Sequence, residues 1–222
     1  TLYANYNKLV ESIKSSFDVT AGYDYQYWKS TTPLYSEMNT LGEIQKTSKA
    51  KDERHVLLSY YGRLNYSFDS RYMLTTTIRR DATSRFAKNV RWGTFPSVAL
   101  GWRVTEESFL KDNKVLSNLK LRASYGVTGQ QDGIGNYNYL PIYTQSQNGA
   151  EASMGNGYIH TYRPSSYVPD LKWETTTSWN VGFDFGFLKD RITGSFDYYT
   201  RQTKDLIATV PAAAGTTFDR NI

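Results

Sequence analysis

The 222 residues contain two histidines, His55 and His160, and no cysteine. Thiolate metal sites and disulfides are therefore excluded. Two histidines so far apart suggest neither a zinc centre nor a Ser-His-Asp arrangement. The adjacent carboxylates Glu106 and Glu107 fall in a polar stretch that reads as a solvated turn. Gly133-Ile134-Gly135 is too short for a phosphate loop and opens no helical pattern. The residue types thus predict no catalytic constellation, no metal and no cofactor. Two kinds of polar contact stand out instead. Arg63, Arg79, Arg103, Arg122, Lys172, Glu174, Asp184, Asp197 and Arg201 all fall on the polar side of alternating segments. They read either as ion pairs between neighbouring strands or as contacts to a polar solute. Tyr137, Tyr139, Tyr143, Tyr158, Tyr162 and Tyr167 stand among Gly, Asn, Gln and Ser in residues 129–170. Aromatic faces stack on sugar rings and amides bond hydroxyls, so this stretch is a candidate substrate or partner contact. Simple packing of a long loop is the other reading.

The elements that carry these residues have a period of two. In 171–187, Trp173, Trp179, Val181, Phe183, Phe185 and Phe187 share one side with threonines, opposite Lys172, Glu174, Asn180 and Asp184. Side chains change face at every residue of a strand, so one face is apolar and the other wet. The run is also longer than the roughly 5–6 residues of an ordinary strand and matches the roughly 9–11 that cross a bilayer at a tilt. Similar alternation occurs at 17–28, 56–68, 72–78, 97–104, 119–127 and 191–203, with a partial strand at 2–7, giving about eight strands. Short connections near 8–16, 69–71, 105–117 and 188–191 alternate with long ones at 29–54, 82–91 and 129–170. This is the asymmetry of outer-membrane barrels, whose periplasmic turns are short and extracellular loops long. Residues 105–116 read as a short helix capped by Thr105. Pro96 is expected near a strand end or bulge. Trp28, Trp92 and Trp173 fall near the extracellular strand ends and Trp102 near a periplasmic end, as interfacial girdles require, whereas Trp179 falls mid-strand. Phe185 is expected near the bilayer midplane.

Composition is compatible with this reading. No apolar run approaches the ~20 residues of a transmembrane helix. Mean hydropathy of −0.58 does not exclude a barrel, because half of each strand faces a polar lumen. The net charge of +5 is spread through strands and turns with no basic run, so nucleic acid is not an expected partner. No leader opens the chain, and both ends read as cut within a longer protein.

Four blocks, RRDATSRFAKN (79–89), RWGTFPSVALGWR (91–103), NLKLRASYGVTGQQ (118–131) and PDLKWETTTSWNVGFDFGFLKDRI (169–192), resemble in order and spacing the C-terminal barrel of SusC/RagA-family TonB-dependent outer-membrane transporters of Bacteroidetes. The tail from Val210-Pro211 to Asn221-Ile222 resembles the loop that follows in that family. The resemblance implies an all-β, antiparallel up-and-down transmembrane barrel wall, with about eight strands of a plugged barrel of roughly 22. Residues 1–222 would be a partial barrel domain with a long extracellular loop at 129–170, and no plug or signal peptide. It further implies import of glycans, oligosaccharides or peptides across a Gram-negative outer membrane. A SusD-like surface lipoprotein, surrounding lipid, and the TonB complex engaged through N-terminal parts would be the partners. A stand-alone small barrel and a soluble carbohydrate-binding sandwich remain as alternatives.

Overall fold

The computed structural model describes residues 1–111, 113–145, 151–155 and 157–210. In chain order its strands are β1 Leu2–Val10, β2 Ser15–Thr32, β3 Tyr35–Met38, β4 Ile44–Ser48, β5 Lys51–Phe68, β6 Tyr72–Thr83, β7 Trp92–Arg103, β8 Leu116–Gln130, β9 Tyr143–Gln145, β10 Glu151–Met154, β11 Gly157–His160, β12 Tyr162–Pro164, β13 Glu174–Phe187 and β14 Ile192–Lys204. The eight long strands form one antiparallel sheet in the order β1-β2-β5-β6-β7-β8-β13-β14. It is an up-and-down meander, with each long strand beside its neighbours in the chain. The remaining strands form three two-stranded ladders inside the connections. The eight expected strands are all present. The tail from Pro211 to Ile222 lies outside the described residues.

Cross-strand register keeps the two faces separate. Phe183 pairs with Leu121 and Phe196, and Val181 with Ala123 and Tyr198, so apolar side chains form continuous rows across β8, β13 and β14. Trp102 pairs with Leu121 and Tyr72, carrying the same face through β7 to β6. A register slip of one residue would turn any of these strands inside out. The apolar face is not covered by protein: Trp179 is 56 % exposed and Tyr198 68 %. A second packed sheet, which a soluble sandwich requires, is absent among the described residues.

β2 and β5 run further than their alternation suggested. Their outer ends, Ser30–Thr32 and Lys51–Glu53, are polar on both faces, so no hydrophobic period marks them. Backbone pairing and cross-strand charge carry them instead: Thr32 stands opposite Lys51, and Lys29 Nζ lies 3.1 Å from Asp52. The hairpin therefore projects beyond the rest of the sheet.

The turns close as local sequence allows. Asp69 and Ser70 both take positive φ (49° and 55°), and Arg71 N donates to Phe68 O at 2.9 Å. Two such residues match the right-handed strand twist. The helix expected at 105–116 is not formed. A 3-10 turn spans Val104–Glu106, and Glu107 O then accepts the Leu110 and Lys111 amides, each at 2.9 Å. Thr105 does not cap it: it lies inside the turn, whose N-cap position is Arg103, and its hydroxyl oxygen accepts from Leu119 N at 3.4 Å. Asn113 Oδ1 then takes the Val115 and Leu116 amides, each at 2.9 Å, and leads the chain into β8. This connection is longer than the one at 84–91, so the end of the sheet, not loop length alone, sorts the two sets. Pro96 sits within β7 opposite Ile78 of β6, and β7 stops pairing with β8 one residue later, at Ser97. A proline has no amide hydrogen for a ladder.

The buried core is small and lies where β7 and β8 part. Phe86, Phe95, Ile134 and Trp173 cluster there, with Leu57, Val90, Val127, Leu171 and Ile207 packed around them. Trp173 meets Phe86 and Phe95 edge-on at 5.4 and 5.3 Å. The cluster ties three connections to the outer end of the sheet.

Candidate functional site

The polar face of the sheet holds most of the charges picked from the sequence. Arg63 on β5, Arg79 on β6, Arg103 on β7, Arg122 on β8, Glu174 and Asp184 on β13, and Asp197 and Arg201 on β14 all have the parity of that face. Arg122 joins three strands. Its Nε and Nη2 grip Asp184 at 3.0 and 2.9 Å, and Nη2 also reaches Asp197 at 3.0 Å. The planar fork matches a carboxylate in this two-point manner. Arg79 Nε holds Asp81 at 2.9 Å and its Nη2 donates to the buried Ser59 hydroxyl at 2.9 Å. Arg201 lies 5.2 Å over the Tyr199 ring. Glu174 accepts the Ile207 amide at 3.0 Å. Lys172 precedes β13 and is not on the sheet; it pairs with Asp205 at 3.1 Å. The arrangement binds strands to one another through ion pairs while keeping a hydrophilic surface. It has no nucleophile–base pair, and no metal-binding group of three or more acidic, His or Cys residues occurs among the described residues.

Two of the expected girdle residues are elsewhere. Trp28 has the parity of the polar face: it pairs with His55 and stacks on it, with centroids 4.2 Å apart and planes at 8°. Tyr23, Tyr25 and Tyr27 are odd-numbered and apolar-facing, so the even number already carried the signal. Trp173 is the other correction. It lies one residue before β13 begins and is buried in the cluster with its Nε1 donating to Arg91 O at 2.9 Å. Trp92, Trp102, Phe183, Phe185 and Phe187 do lie on the apolar face.

That face carries aromatic rows at two levels. At the turn end, Tyr72 stacks on Trp102, and both polar tips donate to Glu107, the indole at 3.0 Å; Arg71 adds a contact at 3.1 Å. These three partners, the Tyr72 hydroxyl foremost, hold the Glu107 carboxyl below the usual carboxylate range. At the loop end, Tyr60 stacks on Trp92, and Arg80 lies 5.0 Å over the Trp92 ring. Trp179 meets Tyr125 at 4.5 Å. In register it stands level with Val98, between the two rows. β13 runs four residues past the Phe183–Leu121–Trp102 level to Phe187, so its whole pattern is displaced towards the turn end. Phe187 to Trp179 and Phe68 to Tyr60 are the same number of residues.

The loop tyrosines do not converge. Tyr137 is half-buried at the loop root, its hydroxyl accepting from Arg54 N at 3.3 Å. Tyr139 is also half-buried. Tyr143 and Tyr162 lie on the β9–β12 ladder, Tyr158 on the β10–β11 hairpin, and all three are exposed. Tyr167 borders a groove of about 520 Å³ at the loop root with Leu171 and Ile207.

An antiparallel meander of long strands with one uncovered apolar face and one charge-laced face defines a stretch of transmembrane β-barrel wall. The chain belongs to the TonB-dependent receptor-like β-barrel family, which its sequence matches over residues 1–222. It is 45 % identical to the TonB-dependent receptor SusC of Bacteroides thetaiotaomicron, over 97 % of this chain and 22 % of that protein. It is 35 % identical to the TonB-dependent receptor P39 of Formosa agariphila, over 97 % and 21 %. Among solved structures, the RagAB peptide transporter superposes with a TM-score of 0.79 at 25 % identity, covering 99 % of this chain and 25 % of that one. The chain thus spans about a fifth of the curated relatives it matches.

Proposed function

We propose that these strands form part of the wall of an outer-membrane TonB-dependent importer of glycans or their oligomers, working with a SusD-like surface lipoprotein. The observation that carries this reading is the pair of opposed faces, running through eight strands of a chain so similar to SusC. The apolar face meets lipid, with girdles at Trp102–Tyr72 and at Trp92 and Tyr60. Eight to ten residues separate the two rows, about 20–25 Å at a barrel's strand tilt, which matches the height of an apolar band. The charged face lines the lumen. Loops at 33–50, 84–91 and 131–173 then stand outside the cell and the turns at 11–14, 69–71, 104–115 and 188–191 face the periplasm. Transport in such a protein is physical: the wall encloses a polar path, a plug gates it, and TonB opens the gate.

The test is uptake by cells whose only copy of the full-length gene is deleted and then restored. Loss of growth on a neutral glycan, with growth on peptides unchanged, supports the reading. Loss confined to peptides would assign it to peptide import, and no growth phenotype on either would overturn nutrient import.

A further inference from the structure

The projecting β2–β5 hairpin, the root of the 84–91 connection and the start of the 131–173 loop enclose a cavity of about 450 Å³ on the polar face. Trp28, Glu53, His55, Arg85, Asp132 and Asn136 line it. One face of the Trp28 indole is taken by the His55 ring, which is itself buried, while Trp28 remains 43 % exposed. The imidazole fixes the indole as a flat platform beside the cavity.

Apart from His55 Nε2, which is buried without a hydrogen-bond partner, the polar groups around that platform are wired to one another. Arg85 Nε donates to Asn136 Oδ1 at 3.2 Å and its Nη1 to Gln131 O at 3.2 Å. Asn136 Nδ2 donates to Glu53 at 3.5 Å. The charges of the lining balance, Lys29 and Arg85 against Glu53 and Asp132: Arg85 pairs with Asp132 at 3.6 Å, Glu53 with Lys51, and Lys29 with Asp52, which Arg54 also approaches at 3.9 Å. Side chains held by each other cost little ordering when a ligand arrives. A flat apolar face beside fixed donors and acceptors, with charge balanced, suits a ligand that is apolar on one side, hydroxyl-rich at its edge and uncharged.

We propose that this cavity is a binding subsite for one pyranose ring of an uncharged oligosaccharide, stacked on Trp28 with its hydroxyls on Asn136, Arg85 and Glu53. The inference rests on the glycan-import reading above and adds the place and the recognition chemistry. Its position on the lumen side, outward of the Tyr60–Trp92 girdle, is where a solute entering from outside would first meet the wall.

The test uses the full-length transporter purified in detergent and calorimetric titration with neutral hexasaccharides of α-glucan, β-glucan and β-mannan, alongside hexapeptides. A glycan that binds the native protein should bind Trp28→Ala at least about tenfold more weakly. Trp28→Phe should keep most of the affinity, and Asn136→Ala, at the loop root, should lower it several-fold. If glycan binding is unchanged in both alanine variants, the subsite is overturned while glycan import stands. If peptides bind and no glycan does, both the subsite and the glycan reading fail.

Discussion

At the residue scale, parity decides most roles. Trp28 and Tyr27 are adjacent, yet one stacks on His55 over the polar face and the other points to the apolar side. Glycine matters where rings cross the backbone. A Cβ on Gly129 would lie 2.0 Å from Phe95 Cζ, and Phe95 cannot retreat because Trp173 packs against it. Gly129→Ala should therefore destabilise the outer end of the full-length protein by about 1–3 kcal/mol, read as earlier proteolysis of the 131–173 loop; unchanged protection would contradict the packing. Glu107 offers a pH test. Its carboxyl is held below its ordinary range by Tyr72, Trp102 and Arg71. A depressed folded pKa gives stability that is complete above the unfolded value of about 4.3 and is lost as pH falls through the lower folded value. The thermal midpoint of the native protein should thus exceed that of Glu107→Gln at neutral pH. The gap should close progressively below about pH 4.3. A gap that persists unchanged to pH 3 would sink this account.

At the element scale, the extent of an apolar run moves one assignment. Phe185 was expected near the midplane, but Trp179 and Phe187 bracket the apolar stretch of β13, so Phe183 is its centre. Phe183→Arg should cost about 2–4 kcal/mol in folding of the full-length protein into lipid, whereas Ser124→Arg on the polar face of β8 should cost under about 1. Equal costs, measured by denaturant titration in vesicles, would mean that the faces are wrongly assigned. The strands themselves were legible because lipid on one side and water on the other impose a strict period of two. The outer hairpin of β2 and β5 was less so, since water bathes both of its faces and no period records the pairing. The helix expected at 105–116 gives way to separate short turns, and Thr105 lies inside the first of them rather than ahead of it. The cavity beside Trp28 was invisible for a different one. Arg85, Asp132 and Asn136 come from segments about 50 residues apart and from loops without periodicity, so only the fold brings them together.

At the scale of the whole molecule, the eight strands form an open sheet: β1 and β14 lie at opposite edges. Lipid tolerates no unpaired edge, so an open sheet of this kind needs pairing at β1 and β14. Expressed alone, residues 1–222 should give no heat-shifted compact band on gels and should aggregate without detergent; a compact band would show that eight strands suffice. The same connectivity has a kinetic side. The other ladders of the sheet join strands three to eighteen residues apart, but β8 and β13 are separated by the 43 residues between Gln130 and Glu174. Closing that span costs about 2 kcal/mol more chain entropy than closing the three-residue turn after Phe68. Assembly should accordingly proceed as two preformed sections, β1 to β8 and β13 with β14, that meet in a late and slower step. Shortening the 131–173 loop would speed that meeting without touching a single ladder contact.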